Sequence, residues 1–97
     1  MQLDGPCASI LDTGSIARKF DAFGFESVEV DGHDVFALYD ALKQQTSRPR
    51  AIIAHTIKGK GLSFAENNVS FHDACVTDDL YKQALSDLKV AEEACSC

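Results

Sequence analysis

Apolar and polar residues recur along this chain with two different periods, and the places where the period changes mark the elements. Ile16, Phe20 and Phe23 stand at i, i+4 and i+7, one face of a helix, with Ser15 placed to cap its start and Gly24 to stop it. Ser27-Val28-Glu29-Val30 alternates polar with apolar and predicts a short strand. Asp31-Gly32-His33-Asp34 is a turn that brings an acid to the next helix start, where Asp34 can accept backbone N–H groups and favour the helix dipole. Val35, Leu38, Tyr39 and Leu42 make that helix amphipathic, and Ser47-Arg48-Pro49-Arg50 ends it. Ala51 to Ala54 is an unbroken apolar run, the pattern of a strand buried on both faces of a parallel sheet. Thr77-Asp78-Asp79 caps a last helix with Leu80, Ala84 and Leu88 on one face, followed by a tail over 89–97.

Strand, helix and strand in that order form a βαβ unit, so the fold class expected is α/β. Three layers, helix-sheet-helix, should hold the strands near 27–30 and 51–55 parallel. With 97 residues the chain allows one small domain or part of a larger one, and it reads as a single partial domain. Residues 1–14 read as an irregular lead-in with turn signals at Gly5-Pro6 and Thr13-Gly14. Residues 57–76 read as a long polar loop, and loops of that length are often functional. Amphipathic helices with so little sheet to cover are expected to leave apolar surface exposed.

Composition narrows the function classes. The chain is 45% hydrophobic and 25% charged, ordinary for a soluble globular protein, and has no apolar run near the roughly 18–20 residues of a membrane helix. A net charge of −6 argues against nucleic acid and anionic membrane as partners through bulk charge. The start lacks a basic region followed by an apolar core, so no signal peptide is expected and the location expected is cytoplasmic. Cys7, Cys75, Cys95 and Cys97 are then expected to be free thiols; Cys95-Ser96-Cys97 without partner histidines is a weak metal signal.

The most informative stretch is Lys58-Gly59-Lys60-Gly61, at the C-terminal end of the second strand, the edge where open α/β sheets bind ligands. Glycines allow close backbone approach and lysines supply charge for phosphate. The spacing is not that of a Walker loop, and a solvated basic turn remains the other account of it. His72, in Phe71-His72-Asp73, could act as an acid, a base or a donor to developing charge, or could be a surface residue. His33 shapes a turn and His55 ends a strand.

Residues 15–34, through Val-Asp-Gly-His-Asp, and residues 51–72, with Ile-Ile-Ala-His-Thr-Ile-Lys-Gly-Lys-Gly-Leu-Ser-Phe-Ala-Glu-Asn, resemble transketolases of the split type, in their N-terminal, thiamine-diphosphate-binding section. The similarity runs over about residues 1–88 and covers the back part of that domain. Deoxyxylulose-5-phosphate synthase shares parts of the pattern, but Lys19 to Val30 and Leu62-Ser63-Phe64 look more like transketolase. The resemblance implies transfer of a two-carbon ketol unit between sugar phosphates, with thiamine diphosphate and Mg2+ as cofactors. It implies a dimeric full enzyme with further domains or a C-terminal subunit.

Residue by residue, the resemblance places Lys58 beside the cofactor and His72 facing the substrate. Met1 falls where the family gives a backbone carbonyl to the metal. Phe71 and Asp73 replace the usual Trp and Gly around the histidine, and Ala74 stands where many members carry lysine. Asp73 beside His72 would favour a protonated imidazole. The family's Gly-Asp-Gly metal motif and its asparagine would lie before Met1, and the glutamate that activates the cofactor lies in another domain. The isolated chain is therefore expected to hold the cofactor weakly and to be inactive alone. The alternative is a non-catalytic α/β interaction module or remnant.

Overall fold

The computed structural model describes residue 1 and residues 3–95, with side chains as far as residue 89. The backbone divides into two compact units, Leu11–Thr56 and Met1–Ile10 with Ile57–Cys97.

The first unit is the βαβ unit with one helix before it: α1 (Ile16–Ala22), β1 (Glu26–Asp31), α2 (Val35–Lys43) and β2 (Arg50–His55). The caps are those expected. Ser15 Oγ accepts the Arg18 N–H at 3.2 Å. Asp34 Oδ1 accepts the N–H groups of Phe36 at 2.9 Å and Ala37 at 3.0 Å. These bonds satisfy donors that the first helical turn leaves without partners.

β1 and β2 pair in parallel, from Glu26 opposite Arg50 to Asp31 opposite His55. Neighbouring residues of a strand point to opposite faces. On one face Ser27 Oγ donates to the Ala17 carbonyl of α1 at 3.1 Å. On the other, Arg50 Nη1 donates to the Ala41 carbonyl of α2 at 2.9 Å, and Arg50 is in register with Glu26, next to Ser27. The helices therefore cover opposite faces of the sheet, which gives the three layers of a partial α/β fold. Gly32 follows β1 where the chain turns against the end of β2. A Cβ there would stand 2.5 Å from Thr56 Cγ2 and 3.0 Å from the His55 carbonyl, so any larger residue requires the end of β2 to shift.

Arg50 ties the layers together. Its Nη2 meets Glu26 Oε1 at 2.6 Å, while Nη1 also reaches the Gln44 carbonyl at 3.2 Å near the C-terminal end of α2. Arg50 Nε is buried and meets no acceptor among the described residues, a desolvation cost that offsets part of the gain. Arg50→Ala would leave the Ala41 and Gln44 carbonyls without this donor. We expect it to destabilise the chain by about 2–3 kcal/mol, discounted from a fully buried pair because Glu26 is partly exposed. Denaturant unfolding measures this, and Arg50→Lys, which keeps the charge but not the fork, should recover less than half of the loss.

Three expectations change. The run Ala51–Ala54 is not buried on both faces: Ala51 is buried, Ile52 and Ile53 are half-buried and Ala54 is exposed. The described sheet has two strands, so each keeps an unpaired edge, and neither face is fully covered. In α2 only Leu38 of the expected stripe is sheltered; Val35, Tyr39 and Leu42 are exposed, and Phe36 is 82% exposed. The sheltered face runs through Ala37, Leu38 and Ala41 instead, because small side chains let the helix approach the sheet. Phe23 falls just past the end of α1 and is 82% exposed, whereas Phe20 packs edge-on against Phe25 at 5.2 Å. The apolar exposure anticipated from the sequence is greatest at Phe23 and on α2, at Val35, Phe36 and Leu42, and extends to Leu11, Val76 and Tyr81 elsewhere in the chain.

The second unit carries a single helical turn at Cys7–Ile10 within the stretch read as irregular. It also carries the segment after β2, a 3-10 turn at Val69–His72, and the long helix α3 (Asp78–Cys95). Thr77 Oγ1 accepts the Leu80 N–H at 3.3 Å, the cap expected. Among the described residues no helix is long and apolar enough to cross a membrane. Cys7 and Cys75 are free and exposed; the Cys95-Ser96-Cys97 signal lies outside the described side chains.

Candidate functional site

The segment after β2 is a chain of tight turns rather than a structureless loop. Lys60 N–H bonds the Ile57 carbonyl, Leu62 N–H the Gly59 carbonyl, and Ala65 and Glu66 N–H groups the Leu62 carbonyl, at 2.9–3.2 Å. Asn67 N–H then returns to the Lys58 carbonyl at 2.9 Å. Residues 58–67 therefore close on themselves as a compact omega-type loop. Asn67 takes φ +51, a left-handed conformation that asparagine tolerates better than most residues.

Gly59 is required for this closure. It has φ +71, and a Cβ on it would collide with the Ala65 carbonyl oxygen and stand 2.6 Å from its carbon. Ala65 is one of the few buried apolar residues, so the crowding cannot be relieved by an outward shift of a side chain.

The loop is anchored at three further points. Ser63 N–H and Oγ both donate to Asp87 Oδ2 of α3 at 2.8 Å, and Gln83 Nε2 donates to Ser63 Oγ at 3.0 Å. Asn68 Oδ1 accepts the Ser70 N–H at 3.0 Å and its Nδ2 holds the Phe64 carbonyl, capping the 3-10 turn. Phe64 and Phe71 pack with ring centroids 5.2 Å apart.

This frame brings together two of the three residues singled out from the sequence. Lys58, half-buried, donates from Nζ to the Phe71 carbonyl at 2.9 Å, and His72 follows Phe71 in the chain. One of the three Lys58 N–H donors is thereby used; among the described residues the other two have no partner. His72 ends the 3-10 turn, is exposed, and has no hydrogen bond or ion pair with Asp73 among the described residues. Met1 is exposed at the chain start, and no described bond links it to Lys58 or His72.

The two lysines of Lys58-Gly59-Lys60-Gly61 are not equivalent. Lys60 Nζ lies 3.7 Å from Glu66 Oε1, whereas Lys58 has no carboxylate partner among the described residues. The backbone N–H groups of Lys60, Gly61 and Leu62 are all engaged within the loop, so they do not form a phosphate-cradling nest. An anion at this turn would have to be met by side-chain charge, and the chemistry of a half-buried ammonium with two donors unpaired among the described residues suits a diphosphate oxygen. Magnesium is a different case. It takes a near-octahedral shell of hard oxygens, and the described residues hold no cluster of three acidic, histidine or cysteine ligands. The side chains described here do not by themselves make a metal site.

Glu66, Asn68 and Asp87 escaped the sequence reading. Asn68-x-Ser70 carries a local capping signal that could have been seen. Glu66 acts five residues from Gly61 and Asp87 twenty-four from Ser63, contacts that no spacing rule supplies.

A family model described as "Transketolase, thiamine diphosphate binding domain" matches residues 1–93. The chain is 33% identical over 92 residues to the 6-deoxy-6-sulfo-D-fructose transketolase subunit of Clostridium sp. (strain MSTE9), a match covering 92% of this chain and 34% of that one. It is 36% identical over 91 residues to one of the subunits of the apulose-4-phosphate transketolase of Actinobacillus succinogenes, covering 92% and 33%. To the transketolase of Homo sapiens it is 34% identical over 71 residues, covering 73% and 11%. The chain spans about one third of the length of the two bacterial relatives.

Proposed function

The chain belongs to the transketolase family, in its thiamine-diphosphate-binding domain, and from that premise we propose that it forms part of a cytoplasmic enzyme moving a two-carbon ketol unit between sugar phosphates. The observation that carries this is the loop 58–67, which is closed by its own backbone and sets one uncompensated ammonium, Lys58, beside the turn that ends in His72.

In this account the Lys58 ammonium donates to the diphosphate, an anion whose charge is the same before and during reaction, and so serves binding. When bound, thiamine diphosphate supplies the electron sink for breaking the bond beside a ketose carbonyl. His72 carries its imidazole on an exposed turn, where it can donate a hydrogen bond or a proton to a sugar oxygen, or accept a proton from one, as the charge there changes. Met1 would lend a backbone carbonyl to Mg2+, with the remaining ligands from outside this chain's described side chains, and no step assigned to Lys58 or His72 passes through the metal. The exposed apolar stripe of α2, with Val35, Phe36, Tyr39 and Leu42, suits cover by other parts of a dimeric enzyme or by a C-terminal subunit.

The test is a chimera in which this chain replaces the matching segment of the Clostridium relative, assembled with the rest of that relative's enzyme. We expect two-carbon transfer from a ketose phosphate that depends on added thiamine diphosphate. A folded chimera that assembles but transfers nothing, beside an active parent enzyme, would contradict the proposal.

A further inference from the structure

Glu66 sits where it can control the charge of the lysine turn. Its Oε1 accepts the Gly61 N–H at 3.0 Å and, from the same oxygen, faces Lys60 Nζ at 3.7 Å. Its own N–H is bonded to the Leu62 carbonyl at 3.0 Å, so the loop that needs Gly59 also fixes the carboxylate. Two lysines and this carboxylate leave the turn with one net positive charge, and the geometry gives that charge to Lys58.

We propose that Glu66 is a specificity-determining residue of the loop: by neutralising Lys60 it restricts the turn to a single cation, Lys58, and so limits its affinity for anions other than a diphosphate already held elsewhere along its length. A turn with both lysines free would attract any multiply charged phosphate. One lysine alone adds a directed contact without becoming a general polyanion site. Lys60 and Glu66 are both partly exposed, so solvent screens the pair and the effect is moderate. The proposal rests on the assignment of Lys58 to the diphosphate.

The experiment is titration of the full chain with inorganic pyrophosphate, followed at the amide resonances of residues 58–62. Glu66→Gln keeps an acceptor for the Gly61 N–H and removes only the charge, so a merely structural role would leave the affinity unmoved. We expect Glu66→Gln to tighten pyrophosphate binding by about two- to fivefold at low salt, with the gain shrinking as salt is raised. Adding Lys60→Gln to that variant should abolish the gain. Lys58→Ala should weaken binding by roughly tenfold with or without Glu66→Gln. If Lys58→Ala weakens binding but Glu66→Gln does not tighten it, or if the gain survives Lys60→Gln, the role given to Glu66 is overturned and the Lys58 assignment stands. If Lys58→Ala changes nothing, the Lys58 assignment fails and the single-cation account fails with it.

Discussion

His72→Ala in the assembled enzyme should lower the rate of ketol transfer by roughly 10–1000-fold, the span of a single acid–base or hydrogen-bond contribution, with thiamine diphosphate affinity nearly intact. His72 follows directly on the Phe71 carbonyl that accepts from Lys58, but that bond uses only the backbone of Phe71, and the His72 ring has no partner among the described residues. Removing it therefore disturbs no hydrogen bond of the loop, and Phe64 still packs on Phe71. Lost rate can then be assigned to lost chemistry rather than to a collapsed loop. His72→Gln, which can donate a hydrogen bond but not carry a proton through neutral pH, should recover part of the rate if the imidazole acts as a donor and almost none if it transfers a proton. Steady-state transfer with saturating cofactor measures both. A His72→Ala enzyme with unaltered turnover would leave residues 69–76 as a mere connection to α3.

Gly59→Ala should cost about 2–4 kcal/mol in the second unit, combining a left-handed backbone position with a collision that buried Ala65 cannot relieve. Gly14 supplies the control. It also has a positive φ, +62, but no atom of the described residues lies within 4 Å of where its Cβ would be, so Gly14→Ala carries conformational strain alone and should cost about 1 kcal/mol. The difference between the two variants isolates the close packing of the loop. Because Asn67 N–H closes the loop on the Lys58 carbonyl, hydrogen exchange at Asn67 should accelerate in Gly59→Ala and remain unchanged in Gly14→Ala. Equal costs for the two, or an unaltered Asn67 amide, would show that the loop does not need glycine at 59.

Much of the fold is written locally. Ser15, Asp34 and Thr77 cap the helices they precede, because a side-chain oxygen can serve an N–H two or three residues on without help from elsewhere. The order of β1, α2 and β2 follows from periodicity, and the parallel pairing follows from the length of the crossover. Burial is not written locally. Val35, Tyr39 and Leu42 have helical spacing as good as that of Leu38, and nothing in the spacing says which of two adjacent apolar stripes meets the sheet. Ile52 and Ile53 have the composition of a central strand, but centrality depends on neighbouring strands, and only β1 flanks β2 among the described residues. Arg50 looked like part of a helix-ending cluster after Pro49, whereas it begins β2 and reaches back to Ala41 and Glu26. For the site, Lys58 and His72 were legible as residue types in a suggestive loop. That Lys58 is the uncompensated lysine among the described residues depends on Glu66, and the way the loop is anchored and closed depends on Asp87 and Ala65, all through contacts that only folding creates.

The central claim is that one loop divides its work, with Lys58 serving the cofactor and His72 the sugar. It is tested most directly by titrating thiamine diphosphate against ketol transfer in the chimera, comparing Lys58→Ala and His72→Ala with the parent. The account predicts that Lys58→Ala moves the half-saturating cofactor concentration upward by roughly tenfold and nearly regains the parent rate at saturation, whereas His72→Ala keeps the midpoint and lowers the plateau. The opposite pattern, or two curves that both overlay the parent, would contradict it.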